Sequence, residues 1–312
     1  VSAAEVVVVG QVARDLVVRA SRLPGPDGSA PARREWEGLG GKGANQAVAC
    51  RRLGASAALV GVVGDDDAGA RALRTAGRDG VDVSGVVVRP AAATALLLDV
   101  VEEDGTRRLL EDAPDEVLVR PEDVRASAGA LAAARWVLLQ LQTPADAAYA
   151  ALEALGPAAP GAPCLLADGA PGDDGLREAL LRRADVLRAD AHEAELLVGR
   201  ELPDVGAVEE AARELVAAGP RVVALGAGPE GNVVAWERGC LRIPLLDVDV
   251  VDKTGGGDSY VAALAVALLR GDPVEDAAWR ASAAASLAVS VAGGRPRYDA
   301  AAVTDLVRDR RR

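Results

Sequence analysis

Three consecutive glycines stand between two aspartates in Asp252-Lys253-Thr254-Gly255-Gly256-Gly257-Asp258, and an apolar run from Val261 to Leu269 follows at once. Glycines allow a tight turn and close backbone approach to a ligand. A helix that starts just after them aims unpaired N–H groups and the positive end of its dipole into the turn. Such a turn stabilises a phosphate or another developing anion. Asp258 is then placed to take a proton from an attacking hydroxyl; its structural alternative is a helix cap. A second glycine-rich stretch, Gly40-Gly41-Lys42-Gly43-Ala44-Asn45-Gln46, also precedes a helical pattern. Lys42 and Asn45 fall in its first turns and can meet a polar ligand. The phosphate-loop pattern GxxxxGK[ST] is not satisfied, because Gly43 follows Lys42. A third stretch, Gly226-Ala227-Gly228-Pro229-Glu230-Gly231, matches GxGxxG. It is not a dinucleotide fingerprint, because strands rather than a helix follow it.

These stretches need elements to hold them. Val6-Val7-Val8-Val9 reads as a strand buried on both faces, the habit of parallel sheets. From about residue 121 helices and strands alternate: helices at 121–132, 144–155, 173–182, 191–198 and 207–218, strands at 135–140, 163–167, 185–188 and 221–225. That spacing implies βαβ units and a parallel sheet. Two further strands, at 232–236 and 240–243, precede helices at 257–270, at 273–292 and from 299. The early chain differs. Residues 16–36 read as short strands broken by Pro24-Gly25-Pro26-Asp27-Gly28, and Thr94 to Glu102 with Arg107 to Glu111 as a hairpin. These are grouped as a second, small sheet.

Composition narrows the class. The net charge of −12 argues against nucleic acid or an anionic membrane as the main partner. Three cysteines far apart, without a CxxC pair, indicate neither a zinc site nor a disulfide framework. A single histidine, His192, excludes any mechanism that needs two. No leader pattern opens the chain, and no apolar run reaches the roughly 20 residues of a membrane span. The expectation is a cytoplasmic α/β protein with one large domain and an appendage. Phe and Met are absent, so Leu, Val and Ala must fill the core. The arginines at 308–312 read as a solvated helix end.

Gly40-Gly41-Lys42-Gly43-Ala44-Asn45-Gln46-Ala47 and Asp252-x-Thr254-Gly255-Gly256-Gly257-Asp258, about 210 residues apart, resemble the two signatures of the ribokinase-like (PfkB) family of carbohydrate kinases. The ribokinase subfamily is nearest, because of Gly41 to Gln46. The resemblance covers nearly the whole chain. It implies a three-layer α/β sandwich with a central, mostly parallel sheet, read as one domain over 1–312, with lid segments at about 12–36 and 92–112. It implies phosphoryl transfer from ATP to a sugar hydroxyl. Asp258 would be the base, and the backbone of Gly255, Gly256, Gly257 and Asp258 the anion hole. Asp15, Gly41, Lys42, Asn45 and Gln142 would bind the sugar. Asp190, Gly226, Gly228, Gly231 and Gly257 would bind ATP, with Glu193 supporting Mg²⁺ indirectly.

The resemblance also implies a K⁺ site lined by the Asp252 side chain and the carbonyls of Thr254, Ala288, Val291 and Gly293. The chain departs from the family at several positions. Ala13 stands for Asn, Gln142 for Glu, Asp190 for Asn, Gly226 for Thr, and Lys253 for Thr; Arg297 replaces a small hydroxyl. Lys253 and Arg297 bring positive charge to the K⁺ site, so weak K⁺ dependence is expected. Losing an amide and a carboxylate from the sugar site leaves a deoxysugar, another aldose or ketose, a sugar acid or a nucleoside open as acceptor. A non-catalytic sugar or nucleotide sensor on the same fold is the alternative from another class. The lid segments imply a homodimer paired through them.

Overall fold

The computed structural model describes residues 3–291 and 293–310. Its first strand, β1 (Val6–Val9), shows how the chain builds its layers. Successive strand side chains point to opposite faces. Val6 and Val8 therefore enter one core, Val7 and Val9 the other. Both faces of such a strand must be covered by helices.

The remaining strands are β2 (Ala13–Ala20), β3 (Ala32–Gly40), β4 (Ala57–Gly64), β5 (Asp82–Arg89), β6 (Leu96–Glu102), β7 (Arg107–Asp112), β8 (Trp136–Gln140), β9 (Cys164–Asp168), β10 (Val186–Ala189), β11 (Val222–Gly226), β12 (Asn232–Trp236) and β13 (Gly239–Ile243). Nine of them form the central sheet, in the order β13-β12-β11-β10-β9-β8-β1-β4-β5. It is parallel except for β12 and β13. Later strands are added outward from β8 on one side of β1, and β4 and β5 on the other. The order thus reverses at β1, and the crevice at the carboxyl ends of strands beside such a reversal is where α/β folds bind ligands.

The helices are α1 (Lys42–Arg52), α2 (Asp67–Arg78), α3 (Pro121–Ala126), α4 (Ala128–Ala133), α5 (Ala145–Leu155), α6 (Asp174–Arg183), α7 (Ala191–Val198), α8 (Val205–Ala218), α9 (Gly256–Arg270), α10 (Val274–Val289) and α11 (Ala300–Arg310). α1, α2, α9, α10 and α11 share the core of Val6 and Val8. α3 to α8 share the core of Val7 and Val9. Among the described residues, no helix is long and apolar enough to cross a membrane.

The small sheet has the order β3-β2-β6-β7, with β2 and β6 parallel and the other pairs antiparallel. Its register puts Asp15, Leu97, Asp99, Arg107, Leu109 and Glu111 on one face. β3 runs to Gly40, past the expected segment end at 36, and leads directly into α1.

Other elements differ from the sequence reading. β5 was not anticipated: the register shifts opposite Gly85, and that irregularity breaks the alternation that marks a strand. The helix expected over 121–132 is split at Ser127, whose backbone leaves the helical region at φ −99° and ψ 6°. Serine competes with helical hydrogen bonding and favours such breaks. α10 ends at Val289, short of the expected 292, and residue 292 lies outside the described residues.

α9 and α10 pack face to face through small side chains. Ala262, Ala263 and Ala265 and then Ala277, Ala281, Ala284 and Ala288 are all buried in the shared core. Alanines here leave no room for extra methyl groups. Ala281→Leu is expected to cost about 1–3 kcal/mol by overpacking, read as a lower urea midpoint with an unchanged m-value.

Candidate active site

Asp15 reaches the site from the small sheet and Asp258 from a helix far away in sequence. Asp15 lies on β2, just beyond the carboxyl end of β1. The backbone of β3 passes so close that a Cβ on Gly40 would stand 1.7 Å from Asp15 Oδ1. Any residue with a side chain there would displace the carboxylate. Asp15 is only 4% exposed, and its Oδ1 has no hydrogen-bond partner among the described residues. Burial, then the charges of Asp99 and Asp258, push its pKa up to about 7.

Asp258 lies in the first turn of α9. The turn before it depends on Gly255, at φ 73°, where a Cβ would stand 2.0 Å from the carbonyl oxygen of Gly294. Among the described residues no side chain caps this helix, so its leading N–H groups, from Gly256 onward, stay available to a ligand. Asp258 is 6% exposed. Asn45 Nδ2 donates to its Oδ2 at 3.0 Å, and Gln46 Nε2 approaches its Oδ1 at 3.4 Å. Burial, with the nearby charge of Asp168, pushes the carboxyl up to about 6; Lys42, Asn45 and Gln46 oppose that rise.

A polar chain runs from Asp258 across the ends of β9 and β10. Gln46 Nε2 donates to Asp168 Oδ2 at 2.8 Å, and Arg188 donates to Asp168 Oδ1 at 2.9 Å. The Arg188 guanidinium also lies 3.8 Å from Glu193 Oε2 and 5.9 Å from the centre of the Tyr260 ring. Lys42 Nζ stands 3.4 Å from Glu193 Oε1. Burial alone would lower the Lys42 pKa, but Asp168, Glu193 and Asp258 together raise it, so the ammonium stays charged. Asp190 and Glu193 form a reciprocal cap at the start of α7, each carboxylate accepting from the other's backbone N–H at 2.8–2.9 Å.

Asp15, Gly41, Lys42, Asn45, Gln142, Asp190, Thr254, Gly255, Gly257 and Asp258 line one cavity of about 470 Å³. Gly256 is buried in the same helical turn, and Glu193 backs Lys42. Gly226, Gly228 and Gly231 lie further along the sheet, around the β11–β12 connection. There Gly226 abuts the start of α7, and Gly231 abuts Ile243 and Pro244. Asp252 sits just outside the cavity. Its Oδ1 accepts from the N–H and hydroxyl of Thr254, and its Oδ2 from the N–H of Gly293 at 2.9 Å. Ala288 lies in the last turn of α10, and Val291 follows its end. Arg297 is exposed. Among the described residues, no three His, Cys, Asp or Glu side chains converge as a metal cage.

The same cavity holds Asp168, Arg188, Asp99, Arg107, Glu111 and Lys253. Sequence reasoning gave none of them a place in the sugar or nucleotide site, although Lys253 was marked as a substitution. Asp168 ends β9 and Arg188 is the last residue but one of β10, and the carboxyl end of a parallel strand is itself a signal. Asp99 and Arg107 carry no such mark; only the register of β6 with β7 shows which face they share.

A family model, pfkB family carbohydrate kinase, matches residues 3–300. The chain belongs to this family. As a member it is an ATP-dependent carbohydrate kinase of ribokinase-like fold. It is 33% identical to the ribokinase of Mus musculus over 269 residues, 85% of this chain and 82% of that protein. It is 34% identical over 261 residues to the ATP-dependent ribose-1-phosphate kinase of Halopiger xanaduensis, 83% of each chain. The structure of Arabidopsis thaliana ribokinase complexed with ribose and ATP superposes with a TM-score of 0.79 at 26% identity, covering 98% of this chain and 99% of that one.

The raised pKa of Asp258 has a stability cost. Unfolded, the carboxyl titrates near 3.8; folded, near 6. Between these values the folded chain keeps a proton that the unfolded chain has released. Stability from this group therefore falls as pH rises from about 4 to about 6 and stays low above. Asp258→Asn is expected to raise stability at pH 7.5 by up to about 3 kcal/mol, seen as a higher Tm whose gain fades below pH 4.

Proposed function

We propose that the acceptor is a small sugar of the ribose type and that Asp258 is the base for its reacting hydroxyl. The observation that carries this reading is the buried Asp258 carboxylate, hydrogen-bonded by Asn45, at an uncapped helix start. It lines the same cavity as Asp15, whose Oδ1 lacks a partner. An unpaired buried carboxylate oxygen is costly unless a ligand hydroxyl satisfies it. Asp15, Gly41, Lys42, Asn45 and Gln142 grip the sugar, and Asp258 takes the proton of the hydroxyl. That oxygen attacks the γ-phosphorus of ATP, the bond from the γ-phosphorus to the bridging oxygen breaks, and ADP departs with its electron pair.

The N–H groups of Gly255 to Asp258 offset charge on the transferred phosphoryl group. The nucleotide lies toward Asp190, Gly226, Gly228 and Gly231. Mg²⁺ arriving on the ATP phosphates supplies charge neutralisation there and needs no protein cage. Glu193 acts on it only indirectly, since its oxygens already face Lys42, Arg188 and the N–H of Asp190.

The Mus musculus and Halopiger xanaduensis relatives are named for ribose and ribose 1-phosphate, which supports a pentose acceptor. The small sheet is the lid of this site, one unit with the main domain. Its outer strand β7 is exposed along its whole length, with Leu109 and Leu110 at 45% and 58% exposure. An open, partly apolar edge favours pairing with a second copy. Three free cysteines, with the buried Cys50 thiol pushed up to about 12 by burial, suit a reducing cytoplasm.

K⁺ has little to add in this chain. Asp252 already accepts three hydrogen bonds, and the Arg107 charge helps to keep its pKa low. A guanidinium and the neighbouring Lys253 oppose a further cation.

Three measurements test these assignments. Asp258→Asn is expected to lower kcat for ATP-dependent ribose phosphorylation by about 10²–10⁴-fold while ATP still binds; near-wild-type turnover would remove Asp258 as the base. The wild-type rate is expected to rise with pH through about 6, as Asp258 ionises. Assays in K⁺, Na⁺ and without monovalent salt are expected to give similar kcat/KM, and strong K⁺ activation contradicts the reading of Asp252.

A further inference from the structure

Arg188 is a cation that neither the proposed acceptor grip nor the nucleotide side uses. It is the last residue but one of β10, and its side chain is only 12% exposed. Contacts on several sides fix it. Its Nη1 donates to Asp168 Oδ1 at 2.9 Å. The guanidinium lies 5.9 Å from the centre of the ring of Tyr260, two residues past Asp258 on α9. It also backs the glycine turn: a Cβ on Gly257 would stand 3.0 Å from Arg188 Nη2 and 3.3 Å from Nη1. A carboxylate and a ring from different elements thus hold a positive charge against the residue that precedes Asp258.

Asp168, the partner of Arg188, is 2% exposed and reaches toward Asp258 through Gln46. Gln46 Nε2 donates to Asp168 Oδ2 at 2.8 Å and approaches Asp258 Oδ1 at 3.4 Å. Gln46 Oε1 has no hydrogen-bond partner among the described residues. The amide is therefore oriented by the two carboxylates rather than by anything that binds its oxygen, which suits two ionised acids. Like charges this close oppose each other's ionisation, and a cation beside one of them offsets the repulsion. The other polar groups facing Asp258 are Lys42 and Asn45 from α1, Asp15 from β2 and the buried Tyr298 hydroxyl. Lys42 is shared with Glu193, 3.4 Å away, so Asp168 needs a cation of its own.

We propose that Arg188 is a positioning residue for phosphoryl transfer: by neutralising Asp168 it keeps Asp258 ionised and the Gln46 amide turned toward it. The assignment rests on the reading of Asp258 as the base. A neutral side chain at 188 leaves Asp168 alone beside Asp258, in an interior where charges are poorly screened. A neutral side chain at 168 has the opposite effect. Arg188 then acts on Asp258 across Gly257 without a counter-charge from Asp168 and draws it toward the ionised form. The two changes therefore push the base in opposite directions and offset each other when combined.

The test follows two quantities. One is the acid limb of the pH–kcat profile with saturating ATP and ribose. The other is the titration of the Asp258 carboxyl, read by NMR of protein isotopically labelled at the aspartate carboxyl carbons. Its signal is the one lost in Asp258→Asn. Arg188→Met is expected to move both upward by about one pH unit, and Asp168→Asn to move both downward by about one. Asp168→Asn/Arg188→Met is expected to bring both back near the wild type, and Arg188→Lys to stay near it. A merely structural role predicts lower kcat without opposed shifts. Carboxyl titrations that do not move, or that move the same way in the two single variants, overturn the proposal. Opposed titration shifts beside an unmoved rate profile uphold the hold of Arg188 on Asp258 and remove Asp258 as the base instead. If Arg188→Met does not fold, Asp168→Asn and the double variant decide the matter, since neither leaves a lone carboxylate at 168.

Discussion

A carboxylate buried at the start of a helix is the constraint on which this structure turns. In the proposed role, Asp258 must be close enough to the dry interior to be a useful base, yet ionised often enough to act. Burial and the neighbouring Asp168 drive it toward the protonated form. Lys42, Asn45 and Gln46, all from one turn of α1, pull it back. The balance leaves the group near 6, so it is mostly charged at neutral pH and still a better base than a solvated aspartate. The two glycine-rich stretches are thus one device: α9 supplies the carboxylate, and α1 supplies the groups that keep it charged.

That pairing explains demands made elsewhere. α1 and α9 must lie side by side on the same face of the sheet, and their small residues permit close contact in the core of Val6 and Val8. The Asp168–Arg188 pair neutralises a second buried carboxylate that would otherwise push Asp258 higher. A buried pair of this kind contributes little stability by itself. Its value here is positional, since Gln46 bridges Asp168 and Asp258 with one amide nitrogen. Removing Arg188 alone would leave the Asp168 charge uncompensated beside Asp258.

The sequence made the Asp258 and Lys42 turns legible because each is local: glycines, one charged residue and a helical run lie within ten positions. The same holds for the βαβ series, where patterning of 2 and 3.6 alternates cleanly. Other features escaped because they exist only between elements. Arg188 and Asp168 stand near strand ends, but their pairing exists only once β9 and β10 are aligned. Asp99 and Arg107 form a pair only because β6 and β7 fold back in register. β5 was hidden by its bulge, and Ser127 divides a helix that hydrophobic period alone reads as continuous.

The small sheet shows how far such non-local placement can shape chemistry. Its polar face delivers Asp15 to the cavity floor and Arg107 to the rim from strands about ninety residues apart in sequence. β2 and β6 run parallel, so no hairpin could have joined them; the chain must pass through α1, β4, α2 and β5 between them. The sheet's position is therefore set by the main fold. Trp36 of β3 lies against Gly293, whose N–H is bound by Asp252. A rigid-body shift of the sheet would move Asp15, Arg107 and the Asp252 contact together. The acceptor grip proposed for Asp15 and the electrostatics before the Gly255 turn therefore depend on the placement of one element.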